Sequence, residues 1–140
     1  MKLLNLLLTG ALTGILSGCT SVTIPENAAP DTPKAAFRDA AEAFAKGDYA
    51  RLERKLSAEL RRQIPKERFR SMLADLQKNG KIIRIEYVTN LRQPVAGSEL
   101  WKLTLSKKNE KDGTVHTDKL LRIISGNLDG RPQIIGLVVQ

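Results

Sequence analysis

A single cysteine, Cys19, in 140 residues leaves no intrachain disulfide and no multi-cysteine zinc site. A single histidine, His116, excludes a two-histidine metal helix and a histidine-rich centre. Aromatic residues are sparse, at 4%, and no apolar run reaches the length of a membrane-spanning helix. There is no glycine-rich phosphate loop, no GxSxG elbow and no HExxH helix. Internal repeats and low-complexity tracts are missing as well. These absences remove the enzyme classes with loud signatures, so no catalytic residue, metal ligand or cofactor is assigned. What is present is an ordinary globular composition, 41% hydrophobic and 27% charged, with a net charge of +8. The length suits one domain and not two.

The first 19 residues are organised differently from the rest. Lys2 supplies a short positive start, and Leu3 to Leu16 is uncharged and rich in leucine. That run has the length of a signal-peptide core and is too short to span a bilayer. It ends in Leu16-Ser17-Gly18-Cys19, which resembles the lipobox of bacterial lipoproteins. The spacing has a chemical reason. A thiolate attacks a lipid-derived glyceryl group, and small residues before it let the backbone enter a peptidase site. The resemblance implies cleavage between Gly18 and Cys19, followed by acylation of Cys19. A diacylglyceryl group with an amide-linked chain anchors stably, because each buried methylene contributes about 0.8 kcal/mol. Thr20 stands where an Asp commonly retains such lipoproteins in the inner membrane. In a host with two membranes, this implies the outer membrane, facing the periplasm.

Three segments are therefore expected: a signal peptide at 1–18, a lipidated Cys and tether at 19–32, and one folded domain at 33–140. Thr20 to Thr32 has two prolines and neither a helical nor a strand period. Extended, its 13 residues reach roughly 40 Å.

Thr32-Pro33 reads as the start of the first helix, with Phe37, Ala40, Ala41 and Phe44 on one face and Gly47 at its end. Asp48 caps a second helix with Tyr49, Leu52 and Leu56 inward, and Ser57 caps a short extension to Ile64. Pro65 restarts a helix on Phe69, Met72, Leu73 and Leu76, which Asn79-Gly80 stops. The period then changes to two. Strands are predicted over 82–88, 100–106, 114–124 and 134–139, with loops over 89–98 and 126–130 and a hairpin at Asp112-Gly113. Gly136 marks a bend or bulge. Helices that precede strands argue an α+β fold, with helices covering one face of a four-stranded antiparallel meander.

Phe37-x6-Phe44-x2-Gly47-Asp48-Tyr49, Leu56-Ser57 with Phe69 and Leu73, and the sheet order resemble the nuclear-transport-factor-two-like, cystatin-like superfamily. The resemblance implies a curved sheet wrapping a long N-terminal helix into a cone whose mouth is often a pocket. Tyr87, Trp101 and Arg122 are the candidate pocket residues, although core packing is the simpler reading of the two aromatics. An inward Arg122 would bind an anion; an outward one, the favoured reading, would be solvated. Asp48 reads as a helix cap. His116 and Asp118 share a strand face, as do Arg84 and Glu86. A His–carboxylate pair can do acid–base work, but a solvated strand start explains His116 and Asp118 better.

Positive charge concentrates over residues 51–70. Arg51, Arg54, Lys55, Arg61, Arg62, Lys66, Arg68 and Arg70 face only three acidic residues there. For an exported lipoprotein, nucleic acid is a poor partner. An envelope protein, anionic lipid or a cell-wall polymer fits better, besides the membrane reached through the lipid anchor. The leading expectation is a non-enzymatic binding or assembly module of the envelope. One alternative is a small-ligand pocket protein or isomerase-like enzyme, which needs an inward carboxylate from Glu86 or Asp118. Another is an accessory subunit of a secretion or conjugation apparatus.

Overall fold

The computed structural model describes residues 35–92, 95–111 and 113–140. The expected signal, lipobox, tether and Thr32-Pro33 helix start lie outside the described residues, as does Asp112. Four helices come first: α1 (Arg38–Lys46), α2 (Tyr49–Glu53), α3 (Ala58–Gln63) and α4 (Lys66–Gln77). Four strands follow: β1 (Lys81–Arg92), β2 (Ala96–Asn109), β3 (Gly113–Leu128) and β4 (Arg131–Val139). The strands form one antiparallel sheet in the order β1-β2-β3-β4. The fold is α+β.

The helix ends follow their local chemistry. At the end of α1 the Asp48 N–H donates to Ala43 O at 2.8 Å and the Gly47 N–H to Phe44 O at 3.1 Å, which is a Schellman closure. Asp48 Oδ1 then accepts the Arg51 N–H at 3.1 Å and starts α2. Ser57 Oγ accepts the Leu60 N–H at 3.1 Å and starts α3. Both caps stand where the sequence places them, and each typically contributes about 1 kcal/mol. The Tyr49 hydroxyl donates to Ile64 O at 2.7 Å and ties α2 to the end of α3.

One apolar core joins helices and sheet. Phe69 packs edge-on against Phe44 at 5.7 Å between ring centroids and lies tilted against Tyr49 at 5.4 Å. From the sheet come Trp101, Leu103 and Leu105, all fully buried and alternating along β2 as the period of two predicts. Leu121 and Ile123 of β3 are buried beside them. Burial of each such side chain contributes roughly 1.5–3 kcal/mol.

The strands are longer than expected. β1 and β2 continue into the segment read as a loop over 89–98, with Leu91 paired to Ser98 and Asn90 to Glu99. Backbone pairing carries the ladder through side chains too polar to signal a strand. The loop expected over 126–130 shrinks to Asp129-Gly130, because β3 runs to Leu128. Asp129 and Gly130 have φ of 52° and 72°, the two positive angles that a tight two-residue hairpin turn requires.

Bulges reset the alternation. In β1 the register shifts between Ile82 and Arg84, so Ile82 and Ile85 both face the core three residues apart. In β4 the pairing of Ile124 with Gly136 and of Ser125 with Ile134 leaves Ile135 unpaired. Ile134 and Leu137 thereby both turn inward. The irregularity expected at Gly136 is this bulge. The free edge of β4 is covered at one point: Ser57 N–H donates to Ile134 O and Ile134 N–H to Lys55 O, each at 2.8 Å.

Candidate functional site

Against the core that helices and sheet share, the structure places Trp101 and Tyr87 together. Their rings meet edge-on at 5.3 Å, and Trp101 has no exposed surface. The indole N–H donates to Glu99 Oε2 at 3.1 Å. The Arg38 guanidinium lies 5.5 Å from the centre of the indole ring, a cation–π distance. Glu99 is itself only 5% exposed, and its carboxylate also accepts the backbone N–H groups of Ala36 at 2.6 Å and Phe37 at 3.2 Å. A negative group at the amino end of α1 satisfies donors that have no partner inside the helix. This buried carboxylate escapes sequence reasoning, because its backbone partners, Ala36 and Phe37, lie more than 60 residues away.

Arg122 is not part of that cluster. It is exposed, between the inward Leu121 and Ile123, and pairs across the sheet with Leu100 and Val138. The three candidate pocket residues are therefore split between two faces of the sheet. The two carboxylates that an isomerase-like mechanism would need are engaged elsewhere on the sheet. Glu86 meets Arg84 at 2.7 Å and Lys102 at 2.9 Å. Its hydrogen bond and charge hold the Lys102 ammonium above its ordinary pKa. Asp118 accepts from the Thr104 hydroxyl at 2.9 Å, and His116 is exposed opposite Ser106. No group of three or more metal-ligating side chains occurs among the described residues.

The basic residues of 51–70 line the outside of α2, α3 and α4. Arg51 bridges to Asp39 at 2.8 Å, and Arg62 pairs with Glu59. Hydrogen bonds from Gln63 and Arg62 hold the Glu59 carboxyl below its usual range. Arg54, Lys55, Arg61, Lys66, Arg68 and Arg70 are exposed and have no ion pair among the described residues. A second basic group, which the charge pattern of 51–70 does not reveal, gathers where α4 ends against the β2–β3 hairpin. Lys78, Lys107, Lys108 and Lys111 line an open cleft of about 580 Å³ there.

No family model and no curated protein sequence matches this chain. Solved structures do resemble it. A SEC-C motif containing protein from Rhodopseudomonas palustris is 11% identical, with a TM-score of 0.50 over 76% of this chain and 77% of that one. An NTF-2 like protein of unknown function from Shewanella oneidensis is 13% identical, with a TM-score of 0.40 over 74% and 91%. A protein from Xanthomonas campestris described as a "putative calcium/calmodulin dependent protein kinase II association domain" is 12% identical, with a TM-score of 0.39 over 74% and 80%. The likeness is one of fold.

Among the described residues, Trp101, Phe44, Phe69, Leu103 and Leu121 are fully buried, and Arg54, Lys55, Arg61, Lys66, Arg68 and Arg70 are exposed. No helix among the described residues is long and apolar enough to cross a membrane.

Proposed function

We propose that this chain is an envelope lipoprotein, anchored through Cys19, whose α+β domain is a non-enzymatic binding or assembly module. The observation that carries the reading is the filled interior. Trp101, Phe44, Phe69, Leu103 and Leu121 pack the volume behind the sheet without exposed surface. Glu99, the carboxylate that does face inward, is occupied by two backbone N–H groups and the Trp101 indole. Recognition then falls to the exposed cations of the helices and of the β2–β3 hairpin. Leu16-Ser17-Gly18-Cys19 supports the anchor, and Thr20 supports an outer-membrane address. An anchored domain with an accessible basic surface is suited to hold an anionic partner close to the membrane.

The test is native mass spectrometry of the full chain, isolated from the membranes of its own host in a mild detergent. The expected spectrum shows the chain carrying its lipid modification and no small molecule in the interior. A discrete small-molecule mass that leaves only on unfolding would contradict the reading in favour of a ligand pocket.

A further inference from the structure

Five lysines outside the 51–70 segment meet at one end of the sheet. Lys78 follows α4, Lys81 opens β1, Lys107 and Lys108 close β2, and Lys111 lies in the turn beyond. Pairing of Lys81 with Ser106 brings the start of β1 beside the end of β2. Two adjoining hollows, of about 580 and 500 Å³, share Lys107 and Lys108 as walls. Lys107 Nζ donates to the carbonyl of Lys78 at 3.1 Å, which fixes the hairpin to the end of α4. Lys78 is paired with Asp75, whereas Lys81, Lys108 and Lys111 have no ion pair among the described residues. Among the described residues, Glu110 is the acidic group of the lining, and Ser106, Thr114 and Thr117 add hydroxyl donors.

Ammonium groups on flexible stems, interleaved with hydroxyls, suit phosphate oxygens, which need no planar fork. The site also extends beyond the hollows. Lys66, Arg70 and Gln77 stand four and seven residues apart on α4 and share one flank. Gln77 lines the smaller hollow, so the flank leads from Lys66 and Arg70 into it. Eleven helical residues cover roughly 16 Å, more than one phosphate group can engage.

The cleft is also remote from the point where the chain enters the domain. Ala36 is held by Glu99, and Lys108 stands nine positions along β2 from Glu99, roughly 30 Å away. A domain anchored through Cys19 would be free to present this end away from the lipid. We propose that the lysine cleft binds an extended phosphate-bearing polymer, which continues along the Lys66–Arg70 flank of α4. This names the partner class of the binding module, and its orientation away from the bilayer rests on the Cys19 anchor.

The test uses the full chain in neutral detergent and fluorescently labelled long-chain inorganic polyphosphate, followed by anisotropy across a salt series. Lys81→Gln, Lys108→Gln and Lys111→Gln together should weaken binding roughly tenfold or more and reduce the salt slope by about two. A control with Lys46→Gln, Arg122→Gln and Arg131→Gln removes the same charge elsewhere and should stay within about twofold of the parent. Both triple variants should melt as the parent does, since every substituted side chain is exposed. Absence of polymer binding at low salt, or equal losses in the two variants, would overturn the proposal. So would competition by orthophosphate, or by glycerophosphoglycerol as the soluble headgroup of phosphatidylglycerol, as effective per phosphate as the polymer. None of these readouts depends on whether Cys19 is acylated, so the cleft and the anchor fail separately.

Discussion

Glu99 Oε2 accepts the indole N–H of Trp101 at 3.1 Å, two residues along the same strand. The same carboxylate holds the backbone N–H groups of Ala36 and Phe37, so one strand residue caps the first helix and fixes the largest core side chain. Glu99→Gln keeps one acceptor but turns an amide N–H toward donors. It should lower stability by about 2 kcal/mol, the scale of a hydrogen-bonded buried charge. Urea unfolding at neutral pH measures this, and a variant within about 0.5 kcal/mol of the parent would argue against the clasp.

Tyr49 gives a pH signature. Burial, with the charges of Glu53 and Glu67, raises its phenol above the ordinary value of 10.0. The unfolded phenol ionises first as pH rises, so the unfolded state then binds fewer protons than the native state. The stabilisation is complete below pH 10.0 and is lost as pH climbs through the higher native value. Tyr49→Phe should remove this alkaline loss and, with the bond to Ile64 O gone, cost about 1 kcal/mol at neutral pH. Unfolding curves at neutral pH and above pH 10 distinguish the two effects.

Gly80 and Gly113 both have positive φ, 127° and 76°, but their surroundings differ. A Cβ on Gly80 would stand 2.6 Å from Ser106 O, whereas a Cβ on Gly113 meets nothing within 4 Å. Gly113→Ala should cost about 1 kcal/mol from its backbone angle alone. Gly80→Ala should cost about 2–3 kcal/mol, because backbone must also move. Thermal melts of the pair rank them, and a reversed order would contradict the close approach of β1 and β2.

Trp101 and Arg122 are both candidate pocket residues in the sequence, with core packing and a solvated outward position as their favoured readings, and stability separates them. Trp101→Ala removes a fully buried side chain and should cost about 3–5 kcal/mol. Arg122→Ala sits on the exposed face and should stay within about 0.5 kcal/mol of the parent. A large loss from Arg122→Ala would place its guanidinium in the interior.

The legible parts of the fold are those where neighbours in sequence are neighbours in space. Asp48 and Ser57 cap the turn that follows them, and Trp101, Leu103 and Leu105 alternate over a regular stretch of β2. The period of two fails at Ile82/Ile85 and Ile134/Leu137, because a bulge adds a residue between inward positions. Strand ends at 89–92 and 96–98 are held by cross-strand backbone bonds that polar side chains do not announce. Glu99 is invisible for another reason: a charge in a strand reads as solvated, and its partners are backbone groups from a distant segment. The lysine cleft is assembled from positions 78, 81, 107, 108 and 111 only once the strands pair.

The anchor is the central claim, and acyl labelling tests it most directly. The full chain and its Cys19→Ala variant would be expressed in the native host with an alkyne-bearing palmitate, then fractionated. The account predicts label on the parent chain in the membrane fraction and none on Cys19→Ala, which also keeps its uncleaved leader. An unlabelled parent chain, or equal label on both, would contradict it.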